Sequence, residues 1–141
     1  MRRVFIDSSV LFAAAYSASG HSRDLLVMGA AKKVKIVISR LVIRETERNI
    51  EEFNPQKLPV LTRIIESAGP EIIEVTVDQV KDAVEQITLK DAPILAAAKA
   101  SQAEMLVTLD KKHFLNRPEL SKYAGMPIVT PKEAIERFKN P

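Results

Sequence analysis

The chain has 141 residues, 46% of them hydrophobic, with five Phe, two Tyr, no Trp and no Cys. A chain of this length buries roughly two-thirds of its unfolded surface, here around an aliphatic core. The lack of cysteine excludes disulfides, iron–sulfur clusters, thiolate zinc sites and a Cys nucleophile, while a formal charge of +3 permits contact with nucleic acid without demanding it.

Strand and helix signals alternate from the first residues. Arg3–Ile6 reads as a buried strand, followed by a helical segment over Ser9–Ser17. Ser22–Lys32 has helical spacing, and Val34–Ser39 reads as a second strand. Leu41–Phe53 predicts a charged amphipathic helix stopped by Asn54-Pro55. Leu58–Ser67 reads as another helix, ended by Gly69-Pro70, and Glu71–Val75 as a short strand. Helices over Val77–Ile87 and Ala92–Ser101 precede a strand at Met105–Leu109. A last short strand at Pro127–Val129 leads to a helix over Pro131–Phe138, capped by Thr130.

Short apolar strands separated by helices predict one α/β domain over 1–141, a three-layer α/β/α sandwich around a mostly parallel sheet of about four or five strands. The central strands are unbroken apolar runs, as strands covered on both faces should be. Nothing after Met1-Arg2-Arg3 resembles a signal peptide. The longest apolar run, Val10 to Tyr16, falls far short of the ~20 residues of a bilayer span. A cytoplasmic protein with no membrane contact is expected.

In parallel sheets the ligand crevice lies outside the carboxyl ends of the strands, and two acids occupy that location. Asp7 closes Val4-Phe5-Ile6, and Asp110 closes Met105-Leu106-Val107-Thr108-Leu109. Each has a plain explanation, Asp7 as a helix N-cap and Asp110 as a turn residue. On the Leu41–Phe53 helix, Val42, Thr46, Asn49, Ile50 and Phe53 form the predicted buried stripe. Glu45 falls roughly 60° from Val42 at ~100° per residue, so it can look inward, whereas Glu47 and Glu51 face water. Asp91 opens the apolar helix Ala92-Pro93-Ile94-Leu95-Ala96-Ala97-Ala98 as an N-cap, which places it at the edge of the core.

Four clustered carboxylates repel one another unless cations neutralise them. An all-oxygen set suits Mg²⁺ or Mn²⁺. Thr108 can hydrogen-bond a neighbouring carboxylate or a metal-bound water. His21 and His113 are isolated and read as surface residues.

These motifs together resemble the PIN domain, the fold of many bacterial and archaeal toxin-type (VapC-like) ribonucleases. Val4-Phe5-Ile6-Asp7-Ser8-Ser9-Val10-Leu11 resembles the family's opening motif, and Ile43-Arg44-Glu45 its second acid. Asp91-Ala92-Pro93-Ile94-Leu95-Ala96-Ala97-Ala98 resembles the third, and Leu106-Val107-Thr108-Leu109-Asp110-Lys111-Lys112-His113-Phe114 the fourth. Ser9 departs from the Asn that many members carry, and Lys111, Lys112 and His113 replace an acid found in some members.

The resemblance implies metal-dependent hydrolysis of RNA phosphodiesters. Asp7 and Asp110 would be the principal ligands of Mg²⁺ or Mn²⁺. Asp91 would bind directly or through water, Glu45 would hold a metal-bound water or second ion, and Ser8 and Thr108 would orient these groups. Lys111, Lys112 and Arg44 are the expected phosphate contacts, and with few aromatics base stacking should be minor. The family also implies a homodimer and, for a toxin, an antitoxin protein partner.

Two other α/β enzymes fit less well. An aspartyl-nucleophile phosphatase needs a second Asp where Ser9 stands, and a response-regulator receiver needs an acid after its third strand. The remaining alternatives are a silent PIN-like module that binds RNA or protein, and a housekeeping RNA-processing nuclease. Four retained acids argue against the first.

Overall fold

A computed structural model describes residues 1–139. Five strands, β1 (Arg3–Ile6), β2 (Lys35–Ser39), β3 (Glu71–Ile73), β4 (Met105–Val107) and β5 (Ile128–Val129), form one sheet in the order β3-β2-β1-β4-β5. Every pairing is parallel, with Val4 beside Ile36 on one side and Met105 on the other. The expected mostly parallel sheet is therefore wholly parallel. Val4, Phe5, Ile6, Ile36, Val37, Ile38, Met105, Leu106 and Val107 are all buried, which accounts for strands apolar on both faces.

Helices α1 (Ser8–Tyr16), α2 (His21–Ala30), α3 (Arg40–Phe53) and α4 (Leu58–Ala68) connect β1 to β2 and β2 to β3, and pack on one another. Helices α5 (Val77–Val84), α6 (Ala92–Ser101) and α7 (Glu119–Ala124) form a second group in the β3–β4 and β4–β5 connections. Successive crossovers run leftward from β1 and then jump back to its right side. Right-handed connections therefore put the two helix groups on opposite faces. The last helix, α8 (Pro131–Lys139), packs on α2. Close layering depends on small residues: a Cβ on Gly29 of α2 would lie 2.7 Å from Ile36 Cγ1 on β2.

Local signals start the helices. The Ser39 hydroxyl accepts from Val42 N–H at 3.1 Å to open α3. Thr76 and Gln79 form a reciprocal cap on α5, and Thr130 and Glu133 do the same for α8, as predicted for Thr130.

Several features differ from the sequence reading, among them β3, which ends at Ile73 rather than Val75. β4 ends at Val107 rather than Leu109, because β5, its only outer neighbour, is two residues long. α5 ends at Val84, short of Ile87. A π-helical turn, Lys111–Leu115, and helix α7 occupy a stretch with no predicted element. The spacing predicts Phe53 on the buried stripe of α3, but it is 70% exposed, because α3 stops at Asn54 and its last turn projects past the core. Among the described residues, no helix is long and apolar enough to cross a membrane.

Candidate active site

β1 lies between β2 and β4, the point at which the order of connections reverses, so the crevice opens beyond the ends of β1 and β4. Asp7 is the first residue after β1. Its backbone N–H donates to Val107 O at 3.1 Å, continuing the ladder to β4. Its side chain is almost fully buried and caps α1, accepting from Ser9 N–H at 2.9 Å and from the Ser9 hydroxyl. The Thr108 hydroxyl donates to its other oxygen at 2.6 Å. Both expectations for Asp7 therefore hold geometrically: it is an N-cap, and it faces the crevice.

Burial outweighs these hydrogen bonds. Desolvation of the carboxylate raises the Asp7 pKa from its ordinary 3.8 to about 6, against the lowering effect of Ser9, Thr108 and the Val10 and Ser9 backbone groups. A carboxyl placed this way favours either a proton or a cation.

The other acids converge on the same cavity. Its volume is about 480 Å³, and Asp7, Glu45, Asp91 and Asp110 all line it. Glu45 is half-buried on the flank of α3 and accepts a short hydrogen bond from the Ser8 hydroxyl. Asp91 is buried at the start of α6 and accepts from the Thr88 hydroxyl at 3.1 Å. It stands at the N-cap position but makes no side-chain capping bond, so the predicted cap is positional only. Asp110 follows β4 by three residues. Its N–H donates to Thr108 Oγ1 at 3.0 Å, so one hydroxyl joins the backbone of Asp110 to the carboxylate of Asp7.

Residues that the sequence did not assign to the site also enter it. Ser9 accepts from Leu109 N–H at 3.0 Å while donating to Asp7, and so ties α1 to the segment after β4. His113, expected on the surface, lies 3.0 Å from Asp110 Oδ2 and 3.9 Å from Asp91 Oδ2 through Nδ1. His113 is the third residue after Asp110, and the turn that Asp110 caps brings the two together. Asp110 O accepts from Leu115 N–H at 3.0 Å, Asp110 Oδ1 accepts from His113 N–H at 3.0 Å, and the fully buried Phe114 anchors the turn. Wide turns of this kind concentrate at functional sites.

The expected phosphate contacts are more scattered. Lys111 and Lys112 are exposed on the turn, and Arg44 lies in a separate cavity with Arg40, Glu74 and Pro93. Lys90, not singled out from sequence, is the one cation among the described residues lining the acid cavity.

The donors present suit a hard cation: carboxylates only, in one cavity, one of them buried without a counter-charge. Among the described residues no three His, Asp or Glu side chains stand close enough together to hold a metal ion, so what the acids share is the cavity.

A family model described as PIN domain matches residues 3–112. No curated protein matches the chain. Among solved structures it is similar to PAE2754 from Pyrobaculum aerophilum, with a TM-score of 0.68 and 18% identity over 99% of this chain and 97% of that one. It is also similar to VapBC2 from Rickettsia felis, solved on a fragment of its promoter DNA, with a TM-score of 0.66 and 20% identity over 91% and 98% of the two chains. A third is Mycobacterium tuberculosis VapC20, a toxin that cleaves the sarcin–ricin loop, with a TM-score of 0.59 and 17% identity over 77% and 91%. At these identities the structural likenesses establish the fold.

Proposed function

The chain belongs to the PIN-domain family, and from that premise we propose that it is a metal-dependent endoribonuclease, the toxin of a toxin–antitoxin pair. The observation that carries the reading is the convergence of Asp7, Glu45, Asp91 and Asp110 on one cavity at the carboxyl ends of β1 and β4. Structural neighbours that are a toxin cleaving the sarcin–ricin loop and a VapBC assembly support the toxin role and an antitoxin partner. A second copy of the chain is a further proposed partner.

PIN-domain nucleases generally use divalent metal ions. In this reading Asp7, Asp91 and Asp110 would hold Mg²⁺ or Mn²⁺, and Glu45 would hold a metal-bound water or a second ion. Bound there, the ion supplies an acidified water and offsets charge building on the phosphoryl oxygens. Thr108 and Ser9 fix both oxygens of Asp7, and Ser8 fixes Glu45, so these carboxylates are oriented before substrate arrives. Lys90 offers a charge to a phosphate entering the cavity.

Calorimetric titration with Mn²⁺, paired with cleavage of end-labelled RNA, tests the reading. Heat that disappears in EDTA-treated controls should accompany cleavage that EDTA stops and Mn²⁺ restores. A protein that gives neither would be a silent PIN module.

His113 provides a finer test of the site. In its Nδ1–H tautomer the ring donates to Asp110 Oδ2, the kind of outer contact whose loss weakens metal binding by roughly ten- to a hundredfold. His113→Phe should show that loss. His113→Asn, which keeps an N–H near the Nδ1 position, should recover most of the affinity. Equal Mn²⁺ affinity in wild type and His113→Phe would remove His113 from the site.

A further inference from the structure

The acid cavity has a second wall that the four carboxylates do not use. Phe12 of α1, Asn49 and Phe53 of α3, Ile94 of α6 and Leu109 line the same volume as Asp7 and Asp110. Phe53 is 70% exposed and Leu109 44% exposed, so both present apolar surface to solvent beside the carboxylates. Phe12 is held by a stack on Tyr16, with ring centroids 5.7 Å apart and planes 12° from parallel. Among the described residues Phe53 stacks on no other ring, which leaves its faces free.

We infer that this wall, with Phe53 at its centre, is a stacking subsite for one unpaired nucleobase next to the phosphodiester that is cut. The inference rests on the nuclease reading and names the substrate within it: RNA whose target nucleotide is splayed out of a helix.

Three features select a base over a peptide helix or a second copy of the chain. The wall is continuous with the carboxylates, so a phosphate at the acids has its own nucleoside within reach of the volume that the wall lines. The shared volume, about 480 Å³, lies within the roughly 300–1,000 Å³ typical of small-ligand pockets, whereas a docked helix needs an extended groove. Asn49 adds an amide that can both donate to and accept from a base edge.

The single cation Lys90 points the same way. With one lysine lining the cavity, side-chain charge contacts to the sugar-phosphate backbone are few, and a neutral aromatic contact adds grip beside the ion held by the acids. Unpaired bases stacked on aromatic side chains are the usual basis of single-strand recognition. The sequence-level expectation that stacking is minor counted aromatics, and the fold concentrates two of the five phenylalanines in this one cavity.

Steady-state cleavage of an unpaired oligoribonucleotide by Phe53→Leu and Phe53→Trp tests the subsite. Leu keeps the apolar contact but lacks a π-face, so kcat/KM should fall by roughly five- to a hundredfold. Trp should restore or exceed the wild-type value. Mn²⁺ binding measured by calorimetry should be unchanged in both, as should melting, since the side chain is outside the core.

Wild-type kcat/KM in Phe53→Leu, with wild-type protein cleaving normally, would overturn the subsite and leave the nuclease reading standing. Loss of self-association in that variant without a change in kcat/KM would overturn it in favour of a protein-docking face. Failure of the wild-type protein to bind Mn²⁺ or cleave would remove both readings together.

Discussion

Asp110→Asn is expected to slow RNA hydrolysis by roughly a hundred- to a thousandfold while leaving melting behaviour close to wild type. Asp110 is partly exposed, so removing its charge relieves no large desolvation cost and opens no cavity. Asn is nearly the same size and is as good an N-cap. Its amide oxygen can keep the bond from His113 N–H at the start of the π-helical turn. The amide nitrogen would then face His113 Nδ1, which accommodates it by changing tautomer. What disappears is the anionic oxygen that a divalent ion requires. Cleavage of labelled RNA at saturating Mn²⁺, with thermal melting on the same preparation, checks both halves. Full activity in a preparation free of contaminating nuclease would sink the site assignment.

Asp7 gives the second large effect, and its sign is set by burial. With a folded-state pKa of about 6 against an ordinary 3.8, the folded protein retains a proton that the unfolded chain gives up. The associated stability is fully present below about pH 4 and is lost as pH rises through about 6, amounting to about 3 kcal/mol. The metal-free protein should therefore become less stable as pH climbs across that window.

Mn²⁺ is expected to reverse the trend by taking the place of the proton. Below pH about 6 a proton would compete with the metal for Asp7, and apparent affinity should fall by up to about tenfold per pH unit. Asp7→Asn should flatten the pH dependence, gain stability in EDTA near neutral pH, and lose the stabilisation by Mn²⁺. Melting in EDTA and in Mn²⁺ across this range separates the cases. A wild-type protein whose metal-free stability rises with pH between 4 and 6 would contradict the burial argument.

Much of this arrangement could be read along the chain, for a physical reason. Strands covered on both faces must be apolar throughout, so β1, β2 and β4 are visible as runs, and an acid just past such a run sits at the crevice. Asp7 and Asp110 follow from that rule. Glu45 and Asp91 followed from helix periodicity and capping chemistry, and the structure places both on the same cavity.

What escaped the reading depends on tertiary contacts or on irregular backbone. His113 stands three residues after Asp110, a capping distance, but the chain shows no helical pattern at Lys111 to reveal the turn that joins them. Ser9 looks like an ordinary helix-start residue, and its bond to Leu109 N–H spans 100 positions. Phe53 obeys the periodicity of α3, but periodicity does not say where the core stops. Helix α7, six residues long, is too short to show a repeating pattern.

The order β3-β2-β1-β4-β5 also determines when this centre can exist. Asp7 and Thr108 are joined across 101 positions, and β1 has one edge unpaired until Met105–Val107 is available to it. A chain emerging from the ribosome can fold β1, β2 and β3 with their helices long before that strand appears, because those contacts close shorter loops. Throughout that interval Asp7 lacks its hydroxyl donor from Thr108, and Asp110 has not been made. Until Met105–Asp110 has been made, the proposed acid site is therefore incomplete, however much of the preceding sheet has folded.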